Sequence, residues 1–138
     1  MTLYEEYRDD FEQRASSVRV EAELEDLLGS IGAAAMDELT PLAEKAEDRS
    51  TAEELLISVE AWASLASYAC TKFYFEGPNE VGTPLRRLGG WGKGVVSMLT
   101  DLVKRFGQML SRAMHAIGAT SYSVGVSYPF GVSVGLSW

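Results

Sequence analysis

Two side chains in this sequence could make a nucleophile and its base: Cys70, in "SYACTKF", and His115, in "AMHAI". A thiol attacks as its thiolate, which needs a neighbouring base or cation and access to solvent. Cys70 instead lies among Ala69, Tyr68 and Phe73, a setting in which a thiol usually serves as packing. A di-iron centre in a helical bundle would need Glu three residues before His on two helices, and Arg112 occupies that place before the only His. "RRLGGWGKG" sets four glycines around Trp91 and Lys93. A phosphate loop would have Gly five positions before its Gly-Lys pair and Ser or Thr after it; Arg87 and Gly94 stand there instead. No zinc, calcium-loop or dinucleotide pattern occurs. The expectation is a chain that is not an enzyme and carries no metal or cofactor.

The most regular spacing lies at the other end of the chain, in "SYSVGVSYPFGVSVGLSW". Pro129 and Gly131 suit a tight turn closed by a glycine bulge. Pairing about it sets Tyr128 opposite Val132, Val126 opposite Val134, Val124 opposite Leu136 and Tyr122 opposite Trp138. Side chains alternate along a strand, so these eight share one apolar face, and the other face holds only Ser and Gly. A two-stranded hairpin is marginal alone and has two bare edges. It must cap its own helices or join copies of itself into a sheet or barrel, and the second is the expectation.

The closing "VSVGLSW" resembles the final strand of bacterial outer-membrane barrels, trimeric autotransporter anchors among them. In those families the last strand and its terminal aromatic are read by assembly machinery. The likeness covers the last strand or two. This chain offers one hairpin where even a three-chain barrel takes more strands per chain, so the resemblance is one of surface pattern.

The elements that must position this ribbon are helical. Thr2 and Glu5 make a capping box ahead of Leu3, Tyr4, Tyr7, Phe11 and Ala15. A second helix, about 17–39, carries Val20, Leu24, Leu27, Ile31 and Ala34 on one stripe. Its "GSIGAAA" lowers helicity but leaves a smooth surface for close helix packing. Thr40 and Pro41 predict the start of a short third helix, and Ser50 with Glu53 caps a fourth over about 51–75. The second half of that helix, "WASLASYACTKFYF", is apolar or small on nearly every side, so it is buried all round. We expect it at a subunit interface, with Trp62, Tyr68 and Phe73 in contact. Last comes an amphipathic helix, about 95–117, with Ser97, Asp101, Lys104, Gln108, Ser111 or Arg112, and His115 forming its polar stripe. Asp101 and Arg105 are spaced to pair.

Charge divides the chain. Residues 1–80 hold 19 of the 20 acids against 6 basic residues, a balance of −13, whereas residues 81–138 balance at +5. An acidic surface repels phosphates, which argues against sequence-specific nucleic-acid binding. Attraction between the two parts, within or between subunits, would run through Arg86, Arg87 and Lys93. The sequence thus predicts a mainly α chain: an acidic helical bundle (1–80), a Gly-rich basic hinge (81–94), a long amphipathic helix (95–118) and a β-hairpin (119–138). With 46% apolar residues, the chain can fill a core. The N-terminus is charged from its fifth residue, so no signal peptide is expected, and the single Cys fits a reducing, cytoplasmic setting.

These features predict a structural subunit that assembles with itself and with a larger protein assembly, in the style of small virus and phage connectors, and is carried in a virion or similar particle. The alternative is a membrane-docking or pore-forming subunit that uses Trp91, the basic amphipathic helix and the hairpin. A soluble binding or regulatory module is the third reading.

Overall fold

A computed structural model describes residues 2–73, 93–117, 121–126 and 132–137. Among these the chain is mainly helical, with four helices: α1 (Leu3–Ser17), α2 (Glu21–Glu44), α3 (Arg49–Thr71) and α4 (Lys93–Ile117). Two antiparallel strands follow, β1 (Ser121–Val126) and β2 (Val132–Ser137).

Local chemistry sets the helix starts. Thr2 Oγ1 accepts from the Glu5 amide at 3.2 Å and opens α1. At α2 no side chain caps the first turn directly; the Glu23 carboxylate instead reaches back to accept from the Arg19 and Val20 amides, at 3.1 and 3.3 Å. The cap of α3 lies two residues earlier than the sequence suggests. Asp48, not Ser50, accepts from the Thr51 amide at 2.9 Å, and Thr51 Oγ1 accepts in return from the Asp48 amide at 3.1 Å. The Thr51 amide holds the Asp48 carboxyl below its ordinary pKa, because that hydrogen bond favours the charged form.

Pro41 starts no new helix. It sits within the last turns of α2, whose buried stripe runs unbroken through Ile31, Ala35, Leu39 and Ala43. The i+4 spacing on the buried face carries the helix past the proline. Its missing N–H deprives only the carbonyl of Asp37, which lies on the partly solvated side of the helix where water can reach it. The expected third and fourth helices therefore reduce to one, α3.

One core draws on all four helices. In α4 the buried residues Val95, Leu99, Leu102, Phe106 and Met109 alternate steps of four and three, a seam that keeps facing its neighbours. Its most extensive neighbour is α2, and there the glycines have a purpose. A Cβ on Gly32 would lie 2.9 Å from Leu102 Cδ2, and one on Gly29 would lie 3.2 Å from Met98 Cε. The smooth surface read from "GSIGAAA" is thus where α4 approaches. Lys93 and Gly94, expected in the hinge, belong to the first turn of α4. Gly94 lies directly against the Glu25 carboxylate, so a side chain there would have to push that carboxylate aside. That carboxylate lies at the positive end of the α4 dipole.

Helix α3 is central: α1, α2, α4 and β2 all pack against it. These neighbours bury Trp62, Ala63, Leu65, Ala66, Ala69, Cys70 and Phe73 within the protomer. Strand β1 lies along α4, and β2 along α3, so the hairpin rests on its own bundle.

Candidate functional site

Cys70 and His115, the two residues that could form a nucleophile and its base, stand in different surroundings. Cys70 is fully buried, and loss of solvation pushes its thiol from near 9 up to about 12. It stays protonated at neutral pH and is a poor nucleophile. His115 is exposed on α4. Among the described residues, no group of three or more His, Cys, Asp or Glu is placed to hold a metal ion. An open cleft between α1 and α2 gathers Asp10, Glu23 and Asp26 beside Arg14. Arg14 also donates to Ser30 Oγ at 3.5 Å and lies over the Phe11 ring.

The structure separates the expected interface residues. Trp62 and Phe73 are corrected: at 0% and 1% exposure they fill the protomer's own core. The indole Nε1–H of Trp62 donates to Glu38 Oε2 at 2.7 Å, while Glu38 Oε1 accepts from the Tyr4 amide at 3.2 Å. Tyr4 meets the Trp62 ring edge-on, with centroids 5.4 Å apart, and Phe11 approaches it at 6.4 Å. One carboxylate thus ties together α1, α2 and α3. The sequence reading missed Glu38, although a signal was present. Glu38 falls seven residues after Ile31, on the apolar stripe of α2, and a buried tryptophan needs an acceptor for its N–H.

Tyr68 differs from its neighbours. It is half-buried, with Lys72 Nζ 5.9 Å from its ring centroid, and it borders a shallow groove with Asp9 and Glu12 of α1. One turn after another on the same face of α3 come Ile57, Ala61, Ser64 and Tyr68, and Ile57 is 68% exposed.

The strands pair in a register displaced by two residues from the expected one. Tyr122 faces Leu136, Val124 faces Val134 and Val126 faces Val132, with Ser123 against Gly135 and Gly125 against Ser133. The physical reason is the period of two. A slip of one residue would mix the faces, but a slip of two preserves them, so alternation alone cannot choose between these registers. Tyr122, Val124, Val126, Val132, Val134 and Leu136 keep positions on one face. Tyr128 and Trp138, along with the Pro129–Gly131 turn, lie outside the described residues. So do Arg86, Arg87, Trp91 and the hinge up to residue 92. On α4 the expected polar stripe is exposed at Ser97, Asp101, Lys104, Gln108, Arg112 and His115, and Arg105 Nη2 meets Asp101 Oδ2 at 3.0 Å. No helix among the described residues is long and apolar enough to cross a membrane.

Comparison of the chain with protein-family models, with curated proteins and with solved structures found no match.

Proposed function

We propose that this chain is a non-enzymatic assembly subunit that forms a homo-oligomeric ring or cluster, with the helical bundle as its body and the hairpin as a joining element. The observation that carries this reading is the two-stranded sheet. Each strand has a single pairing partner among the described residues, and the pair is mounted on α3 and α4. A strand with an unpaired edge is a template for another strand, and a rigid mount lowers the ordering entropy lost when a neighbour adds to it. Closing such edges around a ring would remove them and satisfy their backbone groups. This architecture suits a connector in a virion or another large assembly.

The exposed basic residues of α4, Lys104, Arg105 and Arg112, support a second reading, docking on an anionic membrane surface. Native mass in plain buffer, with and without anionic vesicles, separates the two. The assembly reading expects a discrete oligomer in buffer alone. A monomer that assembles only with vesicles supports the membrane reading, and a monomer indifferent to vesicles overturns both.

A further inference from the structure

The outer face of α3 carries a seam of apolar and small residues that the protomer leaves open. Ile57, Ala61, Ser64 and Tyr68 follow one another at steps of four, three and four, the spacing of a coiled-coil seam. Ile57 and Ser64 are exposed, and Ala61 and Tyr68 are half-buried. The rest of α3 turns its apolar side inward through Leu55, Val59, Trp62, Ala66 and Ala69. Of the second seam, Tyr68 also packs against the edge of that core, while Ile57 and Ser64 face away from it. Serine does not bar close packing here, because in a helix its hydroxyl can turn back to the carbonyl four residues earlier.

We infer that this seam is an isologous interface, on which α3 of a second copy of this chain packs antiparallel to the first. Three features of the sequence on this face fit one dyad. With the two-fold axis midway between Ala61 and Ser64, each Ala61 faces the partner copy's Ser64, and each Ile57 faces the partner copy's Tyr68. Small residues then meet at the centre, where the helices come closest, and large ones meet at the ends. The same dyad brings Glu54 alongside Lys72 of the second copy. Both residues lie on the same edge of the seam, and a two-fold axis across antiparallel helices sets like edges together. Two symmetry-related ion pairs therefore flank the strip. A parallel arrangement would instead set unlike edges together at equal heights, placing Glu54 beside the partner copy's Glu53. Charge thus selects the antiparallel copy.

This interface is separate from the hairpin and goes beyond the assembly reading. An isologous contact closes on itself as a dimer, whereas a ring needs a second, different contact. The two together would build a ring from dimers.

The test uses the full chain and two single-cysteine additions, Ile57→Cys and Tyr68→Cys. A disulfide requires Cα atoms within about 7 Å. In the antiparallel dimer, residues 57 and 68 of opposite copies are adjacent. Two copies of residue 57 are eleven residues apart along the axis, roughly 16 Å at the helical rise. Mild oxidation should therefore cross-link the mixture of the two variants and leave each variant alone uncross-linked. The buried Cys70 does not compete. Cross-linking of either variant alone to the same extent, or none in the mixture, overturns the proposal. Ser64→Arg provides a second measurement: at an exposed helical position it leaves the fold intact, and it should lower the sedimentation mass two-fold. An unchanged mass rejects the seam without touching the hairpin reading, since that variant leaves both strands as they are.

Discussion

At the scale of the residue, Glu38 is the group on which the arrangement of three helices turns. Its two oxygens accept from the Trp62 indole and from the Tyr4 amide, an amide in the first turn of α1 that has no partner within its own helix. Replacing Glu38 by Ala leaves the buried Trp62 N–H without an acceptor, and an unsatisfied buried donor costs about 1–3 kcal/mol. We therefore expect Glu38→Ala to lower stability in urea by an amount in that range, and Glu38→Gln, which keeps one carbonyl oxygen, to lower it less. In a double-mutant cycle with Trp62→Phe the losses should be less than additive, because the donor that suffers is gone. Strict additivity would show that the two side chains do not depend on each other. The sequence made Trp62 conspicuous but not its destination. A run apolar on every side specifies burial, and burial inside a protomer and burial between protomers leave the same pattern in a single chain. What decides is how many other elements surround the helix, and that is a property of tertiary structure.

At the scale of the element, the sequence was most legible where a pattern had one physical solution. The amphipathic stripe of α4 and its Asp101–Arg105 pair follow from helical spacing, and both are present. The small residues of α2 implied a close neighbour, and α4 supplies it. Legibility failed where two solutions compete. Thr-Pro reads as a helix start, yet the buried stripe through Leu39 and Ala43 outweighs it. Asp48 and Ser50 both have N-cap chemistry, and the reciprocal bonds between Asp48 and Thr51 place the cap at Asp48. The close approach of α2 and α4 gives a sharp expectation. Gly32→Leu forces a side chain into space that Leu102 occupies, and overpacking of this kind costs about 1–3 kcal/mol. Leu102→Ala alone also destabilises, by cavity formation. The double variant should recover part of the loss, a coupling of about 0.5–3 kcal/mol between residues in contact. Chemical denaturation of the four proteins measures it, and zero coupling would mean that the helices separate instead of repacking.

At the scale of the whole molecule, the same core that buries Trp62 and Phe73 carries the hairpin. Among the described residues, the features a partner could meet include the sheet edges, the outer face of α3 and the charged faces of the helices. The ion pairs Arg8–Glu12, Arg49–Glu53 and Arg105–Asp101 each join residues one turn apart in a single helix. They do little to bring the acidic and basic parts of the chain together. Lys104 and Arg112 are exposed on α4, while the acidic residues Asp9, Asp10, Asp26 and Glu53 are exposed on α1, α2 and α3. In an assembly of copies each carrying −8, contact between one copy's α4 and the next copy's acidic helices would offset the repulsion that accumulates as copies gather. Exposed pairs are individually worth about 0–1 kcal/mol, and salt screens them over roughly 8–10 Å, so the effect depends on several acting together. Lys104→Glu with Arg112→Glu should therefore weaken assembly at low ionic strength and leave helical circular dichroism unchanged. Raising the salt should narrow the gap from the parent protein, since the introduced repulsion is screened along with the lost attraction. If α4 instead serves an anionic membrane, the double variant assembles normally in buffer at every salt concentration and loses its sedimentation with anionic vesicles. Oligomer mass and vesicle pelleting, measured on this one variant, tell which partner the basic face meets.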